Sequence, residues 1–179
     1  MEESYAEAMD WYLKAADQGN MFAQYLVGQM YDNGLGVERS NEQAVKWYRP
    51  SAEQGYPRAQ YELGSKYCHG HGVEQSYDDG VKWLKKAAEQ GEYRAATILA
   101  DMYDRGKGVE KSPEECAKYV LMAAESGYPT AQEIIGQFYY RGRGIEQSTE
   151  KARYWLQKAA EQGYDTAAKF LSEMDEGTE

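Results

Sequence analysis

Apolar and small residues recur along this chain in two interlaced rhythms. One is helical, placing Ala59, Leu63, Gly64 and Tyr67, and again Ala131, Ile135, Gly136 and Tyr139, at the spacing of a single buried stripe. The other is a period of thirty-six residues that carries the pattern forward without insertion or deletion. It is marked by Gly19, Gly55, Gly91, Gly127 and Gly163, by Ala23, Ala59, Ala95, Ala131 and Ala167, and by Tyr31, Tyr67, Tyr103 and Tyr139. A fixed period of this length denotes stacked supersecondary units, each burying its apolar face on its neighbours and not around one centre.

Each period reads as two helices. The first, helix A, carries the Ala, Gly and Tyr columns and ends at a Gly-x-Gly-aliphatic turn, such as Gly70-His71-Gly72-Val73 or Gly142-Arg143-Gly144-Ile145. The first Gly of that turn suits a left-handed C-cap. The second, helix B, is announced by Ser4, Ser40, Ser76, Ser112 and Ser148 as N-caps, with Glu7, Gln43 and Glu115 completing capping boxes and Pro113 at the first helical position. Helix B is expected to bury the aromatic column Trp11, Trp47, Trp83, Tyr119 and Trp155. Pro50 sits well inside one helix B, where the lost bond to the Lys46 carbonyl predicts a kink or an early end, with drift tolerated late in a helix as the alternative.

The resulting layout is a single array over residues 1–179: helix B at 4–18, A-B repeats at about 20–54, 56–90, 92–126 and 128–162, and a terminal helix A at 165–176. Starting and stopping in mid-repeat suggests either a segment of a longer array or terminal helices acting as caps. The acidic tail Asp175-Glu176-Gly177-Thr178-Glu179 suits a solvated end.

The Ala, Leu-Gly and Tyr columns, the Gly-x-Gly-Val turn, and the run Lys86-Ala87-Ala88-Glu89-Gln90-Gly91 closely resemble the Sel1-like repeat family. Residues 76–91 and 148–163 match best, and the resemblance covers essentially the whole chain. It implies a right-handed α/α superhelix (solenoid) related to tetratricopeptide repeats, serving as a scaffold for protein assembly. Cysteine-rich secreted relatives tie the end of helix B to the next helix A by a disulfide. Here those positions read Ala16, Ala52, Ala88, Ala124 and Ala160, then Gln24, Gln60, Ala96, Gln132 and Ala168, so this chain is outside that subgroup. The hydrolytic activity suggested for such relatives is not carried over.

Composition narrows the partners. A formal charge of -10 argues against nucleic acid and anionic membrane surfaces, and favours a neutral or basic protein. Cys68 and Cys116, in different columns, form no disulfide framework. The start Met1-Glu2-Glu3-Ser4 lacks an export signal and no run approaches the length of a membrane span. As written the chain reads as cytoplasmic, or as periplasmic or secreted if excised from a longer precursor; the family's distribution suggests a bacterial origin.

The columns that vary between copies lie on one arc of helix A: Phe22, Tyr25 and Gln29; Arg58, Tyr61 and Ser65; Arg94, Thr97 and Asp101; Thr130, Glu133 and Gln137. Outer positions add Asp32, His69, Arg105, Tyr140 and Arg141. The A helices of such solenoids line the concave side, so this ladder is the expected partner-binding face, and a plain solvated face explains the variation as well. Exposed Tyr and Arg are residues enriched at binding hot spots.

Other chemistry is thin. Cys68, His69 and His71 are candidates for zinc, copper or nickel, yet they offer three ligands at most where a structural zinc site takes four. Ser148-Thr149-Glu150-Lys151 spells a Ser-x-x-Lys motif, but Ser148 belongs to the N-cap column. Cys116 shares its column with Ala8, Ala44, Gly80 and Ala152 and reads as a small buried residue. The sequence therefore predicts a non-enzymatic scaffold with no cofactor that binds a protein or extended peptide. The alternative is end-to-end self-association through the incomplete terminal repeats.

Overall fold

A computed structural model describes residues 2–176 of the chain; Met1 and the last three residues of the acidic tail lie outside the described region. Ten α-helices and no strand occur among the described residues. They are α1 (Glu2–Asp17), α2 (Met21–Asn33), α3 (Asn41–Glu53), α4 (Pro57–His69), α5 (Tyr77–Glu89), α6 (Tyr93–Arg105), α7 (Pro113–Glu125), α8 (Pro129–Arg141), α9 (Thr149–Glu161) and α10 (Asp165–Glu176). The chain divides into two compact units after Gln90. Within the first, α1 to α5 pack consecutively, each on the next; within the second, α6 to α10 do the same. Even-numbered helices are the A helices and odd-numbered ones the B helices.

Local chemistry sets the helix ends. Each of α2, α4, α6 and α8 stops at a glycine, and at Gly70 the backbone takes a left-handed φ of 69° while its N–H donates to the Lys66 carbonyl. The second glycine of the turn serves a different purpose. A side chain on Gly144 would overlap the backbone of Pro113, so its absence lets the turn lie against the start of α7.

The hydroxyls of Ser40, Ser76, Ser112 and Ser148 accept from the backbone N–H three residues on, at 3.1 to 3.3 Å. The return half of a capping box is not what satisfies the serine N–H groups. Each donates to the carbonyl of the tyrosine nine residues earlier, as Ser40 does to Tyr31 at 2.9 Å and Ser148 to Tyr139 at 2.9 Å. Ser4 has no preceding helix A to supply that carbonyl in this chain, and it lies inside α1 instead of capping it. At Pro50, α3 continues to Glu53 and has the same 13 residues as α5, α7 and α9, so the helix does not end early, as the alternative of tolerated drift expects.

The core follows the repeat. Val27, Leu63, Leu99 and Ile135 on the A helices are fully buried, as are Leu84 and Leu156 on the B helices. The aromatic column is less buried than predicted: Tyr119 is inside, Trp47, Trp83 and Trp155 are half-buried, and Trp11 is 71% exposed. The reason is visible at Trp47 of α3, which packs on a cluster from the preceding helix pair, Met9, Ala16, Ala23, Val27 and Met30. Trp11 has no preceding pair in this chain to cover it. The column one residue later, Tyr48, Leu84, Val120 and Leu156, is the deeply buried one.

Glutamines tie consecutive repeats together. Gln24, Gln60 and Gln132 donate from Nε2 to the carbonyls of Ala16, Ala52 and Ala124 at 3.1 to 3.2 Å. Their side-chain oxygens accept at 2.8 Å from Gln54, Gln90 and Gln162. The hydrogen bonds span the very pairs of positions that the cysteine-rich relatives are expected to bridge by disulfides. In the third copy Ala96 and Ser126 replace the two glutamines, so both members are lost together.

Candidate functional site

The predicted ladder separates into distinct environments. Phe22 is 53% exposed with its ring edge-on to Tyr56, and Arg58, Thr97, Asp101, Arg105, Tyr140 and Arg141 are exposed. Gln29, Tyr61, Ser65, Arg94, Thr130, Glu133 and Gln137 are half-buried. Many are engaged locally: Arg94 pairs with Glu92 at 2.8 Å, Arg105 with Asp101 at 2.5 Å, and Glu133 accepts from Gln137 and Thr166. Tyr140 meets Phe170 edge-on, with ring centroids 5.3 Å apart.

Tyr25 does not belong to the open face. It is only 4% exposed, turned inward with its ring centroid 5.8 Å from that of Tyr48 and 5.0 Å from that of Tyr56. Burying the ring against two others removes apolar area from water, and the inner column of α3 supplies the partner.

Cys68, His69 and His71 do not converge. The Cys68 sulfur is buried against Gly80 of α5, filling the space where the Ala of other copies would carry its methyl. The two histidine rings stack on the outside, centroids 5.6 Å apart, and His69 Nδ1 lies 2.8 Å from the Ser65 carbonyl. In the Ser-x-x-Lys segment, Ser148 caps α9 while the Lys151 ammonium lies 5.3 Å from the centre of the Tyr139 ring, so the lysine is turned to an aromatic face.

Four predicted residues come together in the second unit, Thr130 of α8 among them. Thr97 and Asp101 of α6 and Gln137 of α8 line a cavity of about 440 Å³ between those two helices, with α7 as its floor. Its lining is mainly apolar, through Ala100, Val120, Ala123, Ile134 and Phe138, and Cys116 lies at the base. Burial raises the Cys116 thiol above its ordinary range, with the Asp104 charge adding to the effect, so the sulfur is held as an inert thiol. On the rim, Arg143 donates to Asp104 at 2.6 Å and its guanidinium lies 4.9 Å from the centre of the Phe138 ring. Ile134, Phe138 and Arg143 were missed by the sequence reading. Ile134 falls in the column of Leu26, Glu62 and Ile98, whose mixed character was the available signal.

The same region in the first unit is polar and closed. Lys66 of α4 occupies the position of Phe138 and is buried, its Nζ 2.5 Å from Asp32 and 2.7 Å from the Asn41 amide oxygen. Tyr48 donates to the other oxygen of Asp32 at 3.4 Å. Lys66 and Asp32 thus each have partners within the network.

The Sel1 repeat model matches residues 1–20, 22–56, 57–92, 94–128 and 129–164. Similar solved structures include a protective antigen of uropathogenic Escherichia coli displaying an SLR fold, at 39% identity and a TM-score of 0.85 over 91% of this chain. A Sel1 repeat protein from Oxalobacter formigenes is 38% identical, with a TM-score of 0.76 over 93% of the chain. The chain spans 35% of the first protein's length and 66% of the second's. An immunity protein from Pseudomonas aeruginosa is 27% identical over 94% of this chain and 62% of its own, with a TM-score of 0.55. None of the curated proteins compared matches the chain. Sel1 repeat proteins are generally scaffolds for protein interaction and the family is a non-catalytic one. With matched copies running through nearly the whole sequence and helices in the same phase, this chain belongs to the Sel1 repeat family, an all-α solenoid of thirty-six-residue helix-turn-helix units.

Proposed function

We propose that the open face of the A helices binds another protein, or an extended segment of one, and that the protein works by recognition without catalysis. The observation that carries this reading is the cavity between α6 and α8, where an apolar floor is bordered by Thr97, Asp101 and Gln137. An apolar cleft edged by a few polar groups is the form that binding sites take, with the apolar surface supplying affinity and the polar edge fixing orientation. Phe22 and Arg58 on the A helices of the first unit, and Tyr140 and Arg141 on those of the second, are exposed residues of types suited to anchoring a protein partner. The net charge of -10 favours a neutral or basic partner.

The test is affinity capture with two matched variants. One carries Phe22→Ala, Arg58→Glu and Arg141→Glu on the A helices; the other carries Lys46→Glu and Lys82→Glu on exposed B-helix positions. Loss of the wild-type partner with the first and retention with the second is the expected result. Undiminished capture by the A-face variant would overturn the reading.

A further inference from the structure

We propose that the cavity between α6 and α8 is a socket for one aromatic side chain of a peptide segment belonging to another protein, with a basic residue next to it. This rests on the A-helix reading above and specifies its ligand.

The first unit shows what this fold places in the same space. There Tyr25 of α2 and Tyr48 of α3 fill it with their own rings, 4% and 1% exposed. Two periods later the register puts Thr97 at the first position and Val120 at the second. Both rings are gone, and the surrounding residues have grown only slightly, with Cys116 in the place of Ala44. Ala100 adds a single methyl to the position of Gly28, and the space remains open as a cavity of about 440 Å³. An open apolar cleft in a repeat whose counterpart is filled leaves apolar surface in contact with water, and a ligand ring would cover it.

The wall has changed in the same direction. Where the first unit has Glu62 and Lys66, this one has Ile134 and Phe138. A carboxylate and a buried ammonium have become an apolar edge, 37% exposed at Ile134, and an aromatic face. Aromatic rings pack on such faces in offset or edge-on geometry with a gain beyond their area, which favours a ring over an aliphatic chain as occupant.

The rim supplies the charge preference. Losing the lysine leaves Asp104 to pair with Arg143, so that cation of the cavity lining is already engaged. Among the described residues Asp101 pairs with Arg105, in an exposed pair within the same helix. Pairs of that kind contribute little and exchange readily, so Asp101 can accept a ligand cation instead. A basic residue beside the aromatic one satisfies it, in keeping with the chain's strong negative charge.

The test is a titration of the full chain with the capped peptide Lys-Tyr-Lys, followed through backbone amide chemical shifts, with Lys-Ala-Lys as the control. Saturable shifts at Thr97, Ala100 and Ile134 are expected for the tyrosine peptide, with the alanine peptide at least about tenfold weaker. Thr97→Tyr installs the residue that two other copies hold at this position, Tyr25 and Tyr61, and should abolish binding while the chain stays folded. Ile134→Gln, at an exposed edge, is a second variant and should weaken binding at least about fivefold. No saturable binding of the tyrosine peptide, equal binding of both peptides, or binding unaffected by these two substitutions would overturn the socket. Shifts confined to Phe22, Arg58 and Arg141 would overturn the socket while leaving the broader A-helix reading in place.

Discussion

Lys66 of α4 reaches 2.5 Å from Asp32 of α2, thirty-four residues earlier, and forms a buried ion pair where the other copies place Met30, Met102 and Phe138. The pair is completed by the Asn41 amide oxygen and the Tyr48 hydroxyl. Breaking a buried pair from one side leaves a charge without compensation, so Asp32→Ala should cost about 3 kcal/mol. Lys66→Met should cost less, because the Asp32 carboxylate keeps the Tyr48 donor and some contact with water, and methionine is at home in that column. Denaturant unfolding of the two variants checks the order; equal losses would contradict it.

Glycine on the A helix and a large residue on the B helix are matched. A methyl on Gly136 would stand 2.7 Å from Leu156 Cγ, and one on Gly64 would stand 2.9 Å from Leu84 Cγ. The third copy pairs Ala100 with the smaller Val120. Gly136→Ala alone should therefore destabilise by about 1–2 kcal/mol through overpacking. In a Leu156→Val background the same change should become neutral or stabilising, since Ala is better than Gly in a helix by about 1 kcal/mol. A double-mutant cycle by thermal unfolding reads the coupling directly.

The glutamine bridges predict a second cost. Gln132→Ala removes two hydrogen bonds together, its own to the Ala124 carbonyl and that from Gln162, while the Ala124 carbonyl keeps the Gly127 N–H and Gln162 keeps the Gly127 carbonyl. The loss should be about 1–3 kcal/mol. Pairing it with Gln162→Ser, which reproduces the Ala96 and Ser126 combination of the third copy, should recover part of that loss; no recovery would argue against the bridge as a unit.

Alkaline pH should weaken the fold in two stages. Burial raises the Cys116 thiol, and burial with the charges of Glu62 and Asp32 raises the Tyr48 phenol. A group raised in the folded state keeps its proton there while the unfolded chain loses it, so its contribution is full below the unfolded pKa and falls as pH rises past it. Melting temperature should start to decline from about pH 8.5 through the thiol and more steeply beyond about pH 10 through the phenol. Cys116→Ala should flatten the first stage and Tyr48→Phe the second. A melting temperature that rises across this range would contradict the assignment.

The helix pairs were legible in the sequence because their ends depend on nearby residues: a serine three residues from the N–H it caps, a glycine where φ must be positive. Ser4 and Trp11 broke the pattern for a common reason, since each column takes its partner from the helix or helix pair before it, and the reading along the columns did not carry that dependence to the first helix of the given sequence. Tyr25 and Thr97 share a column, yet one is core and the other edges a cavity. What decides between them is the residue across the interface, Tyr48 against Val120, which a reading along one helix does not pair. Lys66 was hidden by its apolar column, because the carboxylate that makes its burial tolerable belongs to another repeat.

The central claim is that partners are held by the A helices. Photo-cross-linking tests it most directly, with a benzophenone amino acid placed singly at Arg58, Thr97 and Arg141 and, for comparison, at Lys46, Lys82 and Gln157 on the B helices. Partner adducts from the A-helix sites, with little or none from the B-helix sites, are the predicted result; adducts concentrated on Lys46, Lys82 and Gln157 would contradict it.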